Sequence, residues 1–140
     1  MATTNSRAEI LEAIQAADVA LDHLEAAANQ LDRANSWGLA DVLGGSFLST
    51  FMKHRRMDDA QDELEQARDA VRAFARELAD VDRSLGLDIE VSGFLSFADY
   101  FFDGVVADWI VQRKIADAME QVEQAVRKIV AVRNRLVRML

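Results

Sequence analysis

The sequence predicts an all-α fold: an elongated bundle of three long, heptad-patterned helices joined by two short apolar ones, with a candidate internal duplication. Three observations predict it. The 140 residues contain no proline, the residue that helix interiors exclude. Half the chain is apolar (51%), and strong helix formers such as Ala, Leu, Glu, Arg and Gln are abundant. Apolar residues also recur in alternating steps of three and four along long stretches. At this length the expectation is a single domain spanning 1–140.

The first helix is expected over residues 6–35. Ile10, Ile14, Ala17, Leu21, Leu24, Ala28 and Leu31 form a heptad seam, which favours a left-handed, coiled-coil-like crossing. Ser6 and Glu9 have capping-box spacing. Asn35-Ser36 followed by Gly38 predicts the stop. A short apolar helix, 37–43, is then expected, ended by Gly44-Gly45.

The second long helix is expected over 46–83, about 57 Å if unbroken. It opens on Phe47, Leu48, Phe51 and Met52 and settles into a seam. That seam is Met57, Ala60, Leu64, Ala67, Val71, Phe74, Leu78 and Val81. Residues 84–93 read as a loop, because Gly86 and Gly93 flank a short alternating piece with no partner strand. A short aromatic helix, 94–102, is expected next, then a break at Asp103-Gly104, with Asp103 a natural N-cap for the last helix, 105–139. The last seam reads Ile115, Met119, Val122, Val126, Ile129, Arg133, Leu136 and Leu140. Val130, Val132 and Val137 widen its apolar stripe, as for a helix buried on more than one side.

Residues 37–59 are the most informative stretch, dense in Gly, Phe and Trp, and an echo of them recurs at 95–117. With an offset of 58, residues 39–67 pair with 97–125 without a gap, and eight of the 29 pairs are identical. This predicts a repeated unit of short apolar helix, tight break and long helix.

Charge narrows the partners. A net charge of −8 argues against general nucleic-acid or anionic-membrane binding. The distribution is uneven: residues 1–35 hold six acids and two basic side chains, whereas 113–140 hold seven basic side chains and three acids. Acidic and basic helices are therefore expected to pack together. With no cysteine, disulfides, thiolate metal sites and thiol nucleophiles are excluded. The first ten residues lack a basic region and an apolar core of signal length, so a cytoplasmic location is expected.

Candidate chemistry is sparse. Asp41, Asp99 and Asp103 lie in apolar segments, and Asp99 and Asp103 share a helical face. With His54 they are candidate ligands for an all-oxygen or oxygen-rich magnesium, manganese or calcium site. The bland account is that these aspartates cap helices or face water. The Glu-x-x-His pair of di-iron bundles is absent, since Ala20 and Phe51 precede His23 and His54 by three. Asp62, Glu65, Glu77 and Asp80 resemble the acidic motif of all-α nucleotide pyrophosphatases in spacing, but both halves lie on one helix and most face away from its seam. The basic run Lys53-His54-Arg55-Arg56 is followed by Asp58 and Asp59 and reads as a solvated face. Within it His54 extends the apolar stripe, as a hydrogen-bonded core residue would. No serine elbow and no phosphate loop is present. Residues 91–111 approach spanning length, but Asp99, Asp103 and Asp108 would each cost about 2.5–3.5 kcal/mol at a bilayer centre.

The expected function is accordingly a non-enzymatic interaction or scaffold protein that self-associates as a homodimer or binds a helical partner. No cofactor and no nucleic acid are expected, and membrane contact would be peripheral at most. Its expected contact surface comprises Trp37, Phe47, Phe51, Phe97, Phe101, Phe102 and Trp109, because aromatic residues dominate cores and interfaces alike. The alternative is a metal-dependent hydrolase or ion-binding bundle using Asp41, Asp99 and Asp103.

Overall fold

The computed structural model describes the backbone of residues 4–44, 47–86, 89–112 and 114–140, and side chains at 6–33, 58–86, 92–100, 104, 107, 109 and 114–140. The described residues are all-helical in architecture, with no strand. Four helices follow one another: α1 (Thr4–Gly44), α2 (Phe47–Leu85), α3 (Ile89–Gln112) and α4 (Ile115–Arg138). The connections are only two or three residues long, so consecutive helices run antiparallel. α1 packs on α2 and α4, and α3 packs on α2 and α4, whereas the backbones of the diagonal pairs α1–α3 and α2–α4 do not approach closely among the described residues. The helices therefore form a ring around one apolar core. At about 1.5 Å per residue, α1 and α2 extend roughly 60 Å and α3 and α4 about 36 Å.

The helix boundaries differ from the sequence expectation in three places. The short helix expected over 37–43 is the last part of α1, which runs through Gly38 to Gly44. A lone glycine costs a helix only about 1 kcal/mol, and without proline the backbone hydrogen bonds continue past it. The loop expected over 84–93 shrinks to a few residues. Gly86 takes a left-handed φ of 63° and its N–H donates to the Asp82 carbonyl at 2.7 Å, closing α2, and α3 has begun by Ile89. The alternating piece had no strand to pair with, and from Ile89 on a helix satisfies its backbone groups locally. The third difference is at Asp103-Gly104, which does not break the chain. α3 continues to Gln112, replacing the expected short helix 94–102, and Asp103 is not the N-cap of the last helix. That break instead falls at Lys114, which is extended (φ −84°, ψ 104°) and makes no side-chain cap.

These boundaries also bear on the echo. Under an offset of 58, Gly44 and Phe47, which flank the α1–α2 break, fall opposite Phe102 and Val105 inside α3. The two stretches thus do not build the same corner.

The core is a set of buried stripes. α2 buries Ala60, Leu64, Ala67, Val71, Phe74, Leu78 and Val81. α1 buries Ile10, Ala13, Ala17, Ala20, Leu24, Ala27 and Leu31 completely, with Leu21 and Ala28 only half-buried at its flank. The innermost line of α1 therefore takes Ala20 and Ala27 in place of the expected Leu21 and Ala28, and adds Ala13 beside the expected Ile14, which is buried too. The same displacement occurs in α4, where Ala118, Val122, Ala125, Ile129, Val132 and Leu136 are buried. Met119, Val126 and Arg133 stand beside them, half-exposed, rather than within the stripe. The physical reason is size. An alanine on the inner line lets helix backbones approach closely, and the larger side chain next to it then closes the groove from outside.

Candidate functional site

The metal-site residues expected from the sequence are not brought together in the described part of the structure. Asp99 is exposed on α3, and the side chains of Asp41, Asp103 and His54 lie outside the described set. Asp41 belongs to α1 and Asp99 to α3, two helices whose backbones do not approach closely among the described residues. Among the described residues no three His, Asp or Glu side chains cluster in a way that could hold a metal ion. No helix among them is long and apolar enough to cross a membrane.

Of the expected aromatic contact surface, Trp37, Phe47, Phe51, Phe101 and Phe102 also have side chains outside the described set. The other two are packed inward. Trp109 is only 2% exposed, a core residue of α3, and its indole N–H meets no acceptor among the described residues. Such an unmet donor costs about 1–3 kcal/mol. Phe97 is half-buried at the end of an aromatic chain that ties α2 to α3. Phe74 and Phe94 lie 5.2 Å apart at 60°, and Phe94 and Phe97 lie 6.4 Å apart. The Lys128 ammonium from α4 sits 5.2 Å from the centre of the Phe97 ring, a cation–π geometry. Lys128 also borders an open depression on α4 with Gln124, Arg127 and Ala131.

What remains exposed is a different apolar set. Leu11 and Val19 on α1, and Val130, Val137 and Leu140 at the end of the chain, each keep 39–51% of their surface in water. Tyr100 on α3 is the other large exposed side chain of this kind among the described residues. α1 and α4 are neighbours, and Asp18 and Arg133 join them. Arg133 Nε donates to Asp18 Oδ1 at 2.6 Å, and Nη2 approaches Oδ2 at 3.4 Å. The Asp18 carboxylate, first through this hydrogen bond and then through its charge, holds the guanidinium above its ordinary pKa, and slight desolvation works in the opposite sense. The sequence pattern placed Arg133 in the seam, whereas it bridges two helices at the surface. Its signal was the opposite charge of the two helices. Leu11 and Val19 gave a weaker one: both fall outside the heptad positions of α1.

Taken together, the described geometry offers no convergent acid, base or nucleophile. It offers a long helical face with exposed aliphatic side chains, acidic on α1 and basic on α4. The chain matches no protein-family model, no curated protein and no solved structure.

Proposed function

We propose that this chain is a non-enzymatic helical interaction protein that works by self-association. The observation that supports it best is its surface area. The accessible surface is 8159 Å². A compact monomer of 15.6 kDa exposes about 7,250 Å², so roughly 900 Å² is in excess. Exposed Leu and Val side chains on α1 and at the end of α4 add a separate argument, since contiguous apolar patches mark contact surfaces. The regular three-and-four spacing of the buried residues supports a coiled-coil-like crossing of α1 and α2. Light scattering on the full chain tests the proposal. A mass twice that of the chain, or higher, at micromolar concentration is expected, and a strict monomer at high micromolar concentration would overturn it.

A further inference from the structure

We infer that the outer face of the α1–α4 pair is the self-association surface, and that its occupant is a second copy of this chain related by a two-fold axis parallel to the helices. The inference rests on the proposed self-association and specifies its geometry.

Three features of the face support it. The first is its apolar content. Five of the six large hydrophobic side chains found exposed among the described residues lie on α1, on α4 or at the residue that ends the chain, and only Tyr100 lies elsewhere. They share one region. The Asp18–Arg133 pair fixes the relative level of the two antiparallel helices. Leu11 stands seven residues before Asp18 and Leu140 seven after Arg133, so both sit about 10 Å from that pair in the same direction. Val137 lies between Arg133 and Leu140, and Val130 lies one turn beyond Arg133 on the other side. The apolar side chains therefore surround a satisfied ion pair at the centre.

The second feature is size. The excess over a compact monomer belongs to the whole chain, and at roughly 900 Å² it leaves room for a face of the 800 Å² or so that each partner contributes to an interface of standard size.

The third is charge, which selects both the occupant and the axis. Over the length of this patch Glu12, Asp22 and Glu25 are exposed on α1, and Arg127 and Arg138 are exposed on α4, whose exposed acids Asp117, Glu120 and Glu123 lie beyond it toward the start of that helix. One face thus has an acidic half and a basic half. A two-fold axis lying in the face and parallel to the helices sets α1 against the partner's α4, and α4 against the partner's α1. Acid then meets base twice, with all residue levels preserved. A two-fold axis perpendicular to the helices would set α1 against α1 and α4 against α4, at a repulsive cost. An isologous contact of the first kind is closed, so it stops at a dimer.

Sedimentation equilibrium of the 140-residue chain tests the inference, with circular dichroism to confirm that each variant keeps its helix content. Val137→Lys on the face, Tyr100→Lys on α3, Asp22→Lys, Arg127→Glu and the combined Asp22→Lys/Arg127→Glu chain are compared with the parent. The parent is expected to dimerise more weakly as salt rises. Val137→Lys and each single charge reversal are expected to weaken the dimer about tenfold or more. The double reversal should recover most of that loss, and Tyr100→Lys should leave the dimer intact. A monomeric parent overturns the self-association reading itself. A dimeric parent that ignores Val137→Lys but responds to Tyr100→Lys, or responds to neither, overturns this surface and leaves self-association standing. Failure of the double reversal to recover the dimer overturns the parallel axis.

Discussion

Arg133 of α4 and Asp18 of α1 meet in a two-pronged ion pair although 115 residues separate them in the chain, and this pair sets how far α4 slides along α1. Both side chains are partly exposed, at 33% and 50% of their surface, so its contribution is that of a surface pair. A double-mutant cycle with Asp18→Asn and Arg133→Gln is expected to give a coupling of about 0.2–1 kcal/mol. Salt should shrink it. Because folding raises the arginine pKa, the arginine side of this stabilisation is fully present at neutral pH and is lost only as strong alkali deprotonates it. A coupling of zero at low salt, read from denaturant unfolding, would show that the pair does not fix the α1–α4 register.

The alanine line of α1 is a second test of register. Ala13, Ala20 and Ala27 are fully buried, on the side of the stripe away from Asp18 and α4, and so toward α2. Ala20→Leu should overpack this contact and cost about 1–3 kcal/mol. Leu24→Ala, in the fully buried line, should cost about 2–5 kcal/mol. Leu21→Ala should cost clearly less than Leu24→Ala, since Leu21 is only half-buried. The reverse order on urea unfolding would mean that the inner line passes through Leu21.

That register marks the limit of what the sequence made legible. Helix content was legible from the missing proline and the periodicity. In α2 the buried positions were legible because each inner residue is either large or without a larger neighbour beside it. In α1 and α4 hydrophobicity misled, because Leu21, Met119 and Val126 outrank the alanines that lie inside. Glycine misled as well. Gly38 and Gly104 sit within helices, and the α3–α4 break falls at Lys114, which is not a helix-breaking residue. The face joining α1 and α4 was half legible: opposite charge implied that the two helices pair, but which aliphatic side chains stay outside depends on helix rotation, and one residue of register error is a rotation of about 100°.

Two glycines should respond in opposite directions to the same substitution. Gly86 has a φ of 63° in open surroundings, so Gly86→Ala meets no clash and its cost is conformational alone, about 1–2 kcal/mol. Gly93 sits inside α3 with nothing within 4 Å of an added Cβ. Gly93→Ala should therefore stabilise by about 0.5–1 kcal/mol. Thermal unfolding followed by circular dichroism reads both, and a loss at Gly93 would place a close neighbour there.

The aromatic contact between Phe74 and Phe94 offers a way to separate the docking of α3 from the α1–α2 pairing. Phe74 is fully buried on α2 and Phe94 is 3% exposed on α3, so the ring contact reports on that helix pair. Phe74→Ala should cost about 3–5 kcal/mol, and the Phe74–Phe94 coupling should be about 0.5–1.5 kcal/mol. Leu64 is just as buried but stands ten residues from Phe74 on α2, about 15 Å along the helix. Leu64→Ala should cost about 2–5 kcal/mol. Combined with Phe94→Ala it should be additive within about 0.5 kcal/mol, because Leu64 stands well away from the Phe74–Phe94 contact along α2. If the four helices unfold as one unit, all these variants shift a single transition. If Phe94→Ala instead splits the melt in two, α3 and α4 come away first and the α1–α2 hairpin stands without them.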